Sequence, residues 1–455
     1  MTVRSPANLR AIQPRYAARI SATDAAPSRL FNGETLDTYE APTPPISPLM
    51  WICFMIGLLF LFPAFTFQLA FDQINFKFTS SPILQTISAG TELIALTTIF
   101  GSRDISRMMQ LCRPILILIA LAFVSTVWSI DRAATIKASN VFATVCLFSI
   151  ALVGRLGPTN CVRFVIRMMV LGCALSIFWV IVFPNEAIHH ATDQSQSVHS
   201  GLWRGIFTHK QGLGVFAGLT TGLLLFYGRI AFNSLLVRVI AIICGLACMI
   251  GTESTTGFLT AVITPALLYG TFAVTKFPRG ARSAKFNTLL LTGLAVVGAF
   301  HLGVLDFVPR LLGKSSDLTG RTDIWPLALE FFRNSGSALL GGGFGSGFAA
   351  YVIDAPIDSG YIDKIIEFGY VGSTVVFAMY VWILLAGRRL IIETSPTRAA
   401  INIFPFSVVT VVMIINITEG LLMEKHITTV LTAMAAGLAF QVKRLPPADP
   451  ARQRV

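Results

Sequence analysis

Side chains that are or can become positively charged are grouped in the segment LWRGIFTHKQGLG, which contains Arg204, His209 and Lys210. A further arginine, Arg321, stands in LTGRTDIW, and both arginines have a glycine and an aromatic residue close by in the sequence. A guanidinium group is planar and can bind a phosphate through two parallel hydrogen bonds. These residue types therefore predict a site for an anionic ligand. The alternative, that outer loops simply carry solvated charge, stays open, above all for the lysine.

The composition indicates which elements must position these side chains. Hydrophobic residues make up 54% and charged residues 13% of the 455 residues, and the mean hydropathy is +0.70. Such a chain has too little polar surface for a soluble globular protein. Apolar stretches near the ~20 residues that cross a bilayer predict an all-α polytopic membrane protein with about twelve transmembrane helices. The predicted spans are 49–70, 82–101, 113–128, 135–154, 164–183, 211–228, 235–251, 256–275, 286–303, 365–386, 399–418 and 426–442.

The basic residues predict how the chain is oriented. With the N-terminus counted as cytosolic, the cytosolic ends and loops hold 24 of the 35 lysines and arginines, and the outer loops hold 11. Because basic residues favour the cytosolic side, we expect both termini in the cytosol and one long periplasmic loop at 304–364. This bias also accounts for the net charge of +12, so nucleic-acid binding is not expected. The predicted units are a disordered cytosolic tail (1–48), a transmembrane domain (49–443) and a second cytosolic tail (444–455).

Two patterns have simpler interpretations than a cofactor or metal site. The segment GGGFGSGF at 341–348 lacks the Gly-Lys-Ser/Thr ending of a nucleotide-binding loop, and flexible turns explain it. His189, His190 and His199 lie in a predicted outer loop, but their spacing is not that of a zinc site, so we interpret them as part of a solvated loop. We expect no metal ion and no cofactor.

Seven motifs occur in an order that is typical of one family of membrane glycosyltransferases. They are WSIDRAAT (128–135), WRGIFTHKQGLG (203–214), STTG (254–257), LTGRTDIW (318–325), GGGFGSGF (341–348), DSGYIDKIIEFGYVG (358–372) and NITEG (416–420). Together they resemble the O-antigen ligase and Wzy-type polymerase family, and within it the exopolysaccharide polymerase, or ExoQ-like, branch. The resemblance spans about residues 50–440.

The resemblance implies a metal-independent glycosyltransferase of GT-C-like architecture in the bacterial inner membrane. Such enzymes take an oligosaccharide from an undecaprenyl diphosphate carrier at the periplasmic face and join it to a sugar hydroxyl. The implied partners are this lipid-linked oligosaccharide, membrane lipid, a chain-length regulator and export machinery. Two alternatives remain: an O-antigen ligase that transfers glycan to lipid A core, and a twelve-span polysaccharide or solute transporter. A transporter should show two similar halves with a binding site near the bilayer midplane, whereas the glycine, arginine and aromatic motifs here lie in one late outer loop.

The implied chemistry assigns roles to particular residues. A diphosphate leaves as a stable anion, so surrounding cations matter more than a proton-donating acid, and Arg204 and Arg321 are the predicted catalytic cations. The acceptor hydroxyl is a weak nucleophile that a base would activate. The ligase branch usually carries a histidine where this chain has Asp358 and Ser359, so Asp358 is the candidate base. Asp358 could equally be a helix N-cap. The predicted ligands of the diphosphate or glycan are Arg204, His209, Lys210, Arg321, Tyr361 and Glu419, with Glu419 and His209 also reserve candidates for the base.

Overall fold

The computed structural model describes residues 46–61, 82–101, 105–192, 199–301, 321–347, 357–395 and 398–441. Most of the first predicted tail, all of the second, and residues 304–320 and 348–356 of the predicted periplasmic loop lie outside this part. Within the described residues the secondary structure is helical and no strand is assigned. One isolated antiparallel bridge joins Ile188 and Trp203.

The helices follow the apolar runs of the sequence. Their bounds are α1 (Pro48–Leu61), α2 (Pro82–Phe100), α3 (Ile105–Val124), α4 (Arg132–Leu156), α5 (Pro158–Val182), α6 (Pro184–Ala187), α7 (Lys210–Ala231), α8 (Leu235–Thr252), α9 (Thr255–Thr275), α10 (Arg279–His301), α11 (Arg321–Asn334), α12 (Gly360–Glu393), α13 (Ala399–Asn402), α14 (Phe404–Ile415) and α15 (Ile427–Gln441).

Among the described residues, six helices are long and apolar enough to cross a membrane: α4, α5, α7, α8, α9 and α12. Shorter apolar helical segments occur within α1, α2, α3, α13–α14 and α15. Every predicted span overlaps a helix. The protein is therefore a helical membrane protein, and the total of twelve crossings stays a prediction.

Helices α7 and α9 lie unusually close, and this contact aligns the sequence motifs at their N-termini. A Cβ atom at Gly218 of α7 would collide with the carbonyl oxygen of Gly257 of α9, and one at Gly222 would lie 2.6 Å from the Thr264 Cβ. Small residues allow such close approach between membrane helices. Positions further along α7 contact positions further along α9. The two helices are therefore parallel, and their N-termini share one end of the molecule.

Helix α12 is broken near its start, at Gly369, whose φ of 65° lies in the left-handed region that favours glycine. The segment 338–343 binds across the break. The N–H groups of Gly342 and Gly343 donate to the carbonyls of residues 366 and 367 at 3.0 and 2.9 Å, while Tyr370 and Val371 donate to the carbonyls of residues 338 and 339 at 3.0 and 3.2 Å. The glycine segment thus satisfies the backbone groups that the break leaves without helical partners.

Candidate functional site

The connector between α14 and α15, residues 416–426, joins several of the sequence motifs. The Gly360 N–H at the start of α12 donates to the carbonyls of Asn416 and Glu419, both at 2.9 Å. The Thr256 hydroxyl at the start of α9 donates to Glu419 Oε1 at 2.8 Å. His426 Nε2 lies 3.5 Å from the carbonyl oxygen of Gly212 in the first turn of α7. The N-termini of α7, α9 and α12 therefore meet at this connector.

The predicted cationic group lies at the N-terminus of α7. The Arg204 Nε–H donates to the carbonyl of Glu186 at 2.7 Å, which fixes the partly buried guanidinium beside the α6 turn. His209 is the N-cap of α7, and its Nδ1 accepts the Gln211 N–H at 3.2 Å. Burial, together with the charges of neighbouring His189, His199, Lys210 and Arg204, lowers the pKa of His209 to about 3. Arg204, His209 and Lys210 thus form one group, with the imidazole neutral.

Three imidazole rings gather beside this group. The ring centroids of His189, His199 and His209 are separated by 5.1 to 5.9 Å. His189 is only 1% exposed, so its assignment to a solvated loop was wrong. Its Nε2 accepts the Lys210 N–H at 3.2 Å. A neutral imidazole that accepts a backbone N–H carries its proton on the other nitrogen, so His189 and His209 each accept a backbone N–H from the first turn of α7.

The structure describes less of Arg321 and Asp358, the two predicted catalytic residues that lie later in the sequence. Arg321 is the first residue of α11, and its side chain lies outside the described part. Asp358 is partly buried and directly precedes Ser359, which is the N-cap of α12. The N-cap interpretation of Asp358 was therefore wrong.

Tyr361 and Glu419 are anchored to neighbouring helices. The Tyr361 hydroxyl donates to the carbonyl of Met413 in α14 at 2.8 Å. Glu419 is 3% exposed, and its Oε1 accepts the Thr256 hydroxyl. Tyr361 thus holds the α12 N-terminus against α14, and Glu419 holds the α9 N-terminus against the α14–α15 connector.

A buried lysine with three carboxylates forms a second group at the connector. The Lys364 Nζ lies 2.6 Å from Glu367 Oε2, 3.0 Å from Asp363 Oδ2 and 3.0 Å from Glu424 Oε1, and its side chain is 0% exposed. The ammonium also lies 4.9 Å from the centroid of the Phe344 ring. Carboxylate oxygens of the three acidic residues lie within 4.8 Å of one another, a spacing suited to a metal ion. Lys364 supplies positive charge at that point.

Glu367 also ties this group to the GGGFGSGF motif, because its Oε1 accepts the Gly345 N–H at 2.8 Å. Sequence reasoning missed this group. The signal that was available is the Asp363/Glu367 spacing of one helical turn around Lys364, which places the two carboxylates on the same side of α12. Nothing in the sequence connects this pattern to Glu424, which is 60 residues away from Lys364.

Comparison with known proteins gives a distant relationship. No family model matches the chain. The "Exopolysaccharide production protein ExoQ" of Rhizobium meliloti (strain 1021) is 28% identical over 131 residues. The match covers 29% of this chain and 28% of the relative, so it spans less than a third of either protein.

Proposed function

We propose that this protein is an exopolysaccharide polymerase of the inner membrane, which joins lipid-diphosphate-linked oligosaccharide repeats at the periplasmic face. The observation that carries the proposal is the meeting of the α7, α9 and α12 N-termini at the 416–426 connector. Motifs that are far apart in sequence contribute to one end of a helical membrane protein. The distant relationship to an exopolysaccharide production protein supports the same function.

The cationic group at α7 suits the leaving diphosphate. As the bond from the anomeric carbon to phosphate breaks, negative charge builds on the phosphate oxygens, and nearby cations stabilise it. Arg204 and Lys210 stand at the N-terminus of a 22-residue helix, whose dipole adds partial positive charge. His209, neutral at physiological pH, can donate one hydrogen bond from Nε2. In this proposal Arg321 supplies a further cation.

The mechanism as proposed needs no metal ion. In many enzymes of phosphate chemistry a divalent cation both neutralises charge and orients carboxylates. Here Lys364 orients three carboxylates, and the arginines and Lys210 neutralise the diphosphate. The remaining requirement is a base for the acceptor hydroxyl, for which Asp358 is the candidate from sequence.

Purified protein in lipid nanodiscs, incubated with undecaprenyl-diphosphate-linked repeats in EDTA, tests the proposal. We expect a ladder of longer lipid-linked glycans on a gel. Transfer that occurs only after lipid A core is added would identify a ligase. Passage of the glycan across proteoliposomes without any elongation would identify a transporter and contradict the proposed function. The chain-length regulator and the export machinery are proposed partners that the purified reaction omits.

A further inference from the structure

The group around Lys364 contains three carboxylates that differ in what surrounds them. Glu367 is 6% exposed, and both its oxygens are engaged, Oε2 by Lys364 and Oε1 by the Gly345 N–H. The Asp363 side chain is 22% exposed, and the Glu424 side chain is 44% exposed. Glu424 is therefore the carboxylate of this group that is most accessible to a second molecule.

One oxygen of Glu424 is fixed by a buried cation. Its Oε1 lies 3.0 Å from the Lys364 Nζ, and Lys364 is itself held by Glu367 at 2.6 Å and by the aromatic face of Phe344. A hydrogen bond to one oxygen sets the orientation of the whole carboxylate. The second oxygen, Oε2, is then the one that can take a proton, as a general base must.

The backbone before Glu424 is strained in a way that directs this side chain. Met423 has a φ of 63°, although it is 1% exposed and is neither glycine nor asparagine. A left-handed conformation at such a residue is unfavourable and persists only where the surroundings impose it. It turns the chain between Leu422, which is buried, and Glu424, which meets Lys364.

We propose that Glu424 is the general base that activates the acceptor sugar hydroxyl, and that Lys364 is its positioning residue. This inference rests on the proposed glycosyl transfer. The hydroxyl oxygen attacks the anomeric carbon of the donor and forms the new glycosidic bond. The bond from that carbon to the phosphate oxygen breaks, and its electron pair leaves with the diphosphate. The hydroxyl proton passes to Glu424 Oε2 and later to solvent.

The location of Glu424 suits this role. His426, two residues further along, contacts the first turn of α7 through the Gly212 carbonyl. The base and the cations that receive the diphosphate thus belong to segments in direct contact.

The test compares Glu424→Gln with wild-type protein in the nanodisc elongation assay. The amide keeps the shape and can still accept a hydrogen bond from Lys364, but it cannot take a proton. We expect kcat to fall by about 100-fold or more, while KM for the lipid-linked donor stays within about twofold because the diphosphate contacts are unchanged. Glu330→Gln, at an exposed carboxylate of α11, is the matched control and should elongate at the wild-type rate.

A chemical rescue separates a base from a structural carboxylate. Glu424→Ala leaves space beside Lys364, and formate added at high concentration should restore part of kcat in this variant but not raise that of wild type. If Glu424→Gln is absent from membranes, Glu424→Asp takes its place in the test. This variant keeps the charge, so we expect normal abundance, but its shorter side chain should still lower kcat.

Three outcomes would overturn the inference. Elongation by Glu424→Gln near the wild-type rate, at equal abundance, removes Glu424 from the reaction. Loss of elongation in Asp358→Asn with elongation retained in Glu424→Gln assigns the base to Asp358. Absence of elongation by wild-type protein itself contradicts the proposed function, and the inference falls with it.

Discussion

Lys364→Met is the perturbation whose effect the structure defines most sharply. Methionine has nearly the length of lysine but no charge, so the change removes the ammonium from between Glu367, Asp363 and Glu424, at 2.6, 3.0 and 3.0 Å. Removing one partner of a buried ion pair costs about 3–5 kcal/mol, because the other partner is left charged and buried. Glu367 is the carboxylate that bears most of this cost, since it is 6% exposed.

The loss should be measured as the change in unfolding free energy or melting temperature of the purified protein in detergent. Lys276→Met is the matched control, because Lys276 is exposed and contacts the ring of Phe272 at 5.2 Å, an interaction worth about 0.5–1 kcal/mol. Adding Glu424→Gln to Lys364→Met should cost less than the sum of the single changes, because one of the unpaired carboxylates has been neutralised.

Calcium gives a second measure of the same geometry. Without Lys364, three carboxylates whose oxygens lie within 4.8 Å of one another remain, and a cation that prefers oxygen ligands can take the vacated position. Millimolar calcium should raise the melting temperature of Lys364→Met and leave that of wild type unchanged. A loss of less than about 1 kcal/mol in Lys364→Met, with no response to calcium, would refute the view that this lysine holds the cluster.

Three further predictions concern the cationic group, the outer loop and the orientation. The pKa of His209 is about 3 in the folded state against 6.5 for an ordinary histidine, so the unfolded state binds more protons below pH 6.5. The contribution of His209 to the free energy of unfolding should therefore be fully present above pH 6.5 and should fall by about 2 kcal/mol at pH 5. The variant His209→Asn keeps an N-cap, and its thermal unfolding should lack this part of the pH dependence. Arg321→Ala should lower polymer synthesis about a hundredfold, or about 3 kcal/mol in the transition state, and Arg321→Lys somewhat less, measured in a strain without the native protein and at equal abundance by immunoblot. A reporter after Pro278 should read as cytosolic and one after Lys314 as periplasmic, and the reverse would contradict the assignment of every outer residue.

Much of the fold could be predicted because apolar run length is a direct requirement of the bilayer. The predicted span 211–228 corresponds to α7 at Lys210–Ala231, and 256–275 corresponds to α9 at Thr255–Thr275. The break in α12 was missed, because hydropathy averages over a window and does not register one left-handed glycine. What sets Gly369 apart from other glycines in the predicted spans is the backbone of residues 338–343, which binds across the break. That pairing joins segments about thirty residues apart.

The candidate site was predictable where its residues are neighbours in sequence. Arg204, His209 and Lys210 fall in one motif, and they lie together at one helix N-terminus. The burial of His189 could not be predicted, because it depends on the Lys210 N–H and on two other imidazole rings. Residue type and spacing predicted which cations would group together, whereas the pairing of a buried lysine with a carboxylate 60 residues away requires the folded connector.

The separation of the two charged groups has a chemical reason under the proposed function. In a direct displacement the nucleophile approaches the anomeric carbon opposite the leaving group, so a base for the hydroxyl and cations for the diphosphate must act on different sides of the sugar. Lys364 occupies one oxygen of Glu424 from the buried side, while the carbonyl of Glu186 holds the Arg204 guanidinium beside α6. The connector that carries Glu424 reaches the first turn of α7 through His426, whose Nε2 lies 3.5 Å from the Gly212 carbonyl oxygen, so the two groups belong to segments in contact and each keeps its own partners.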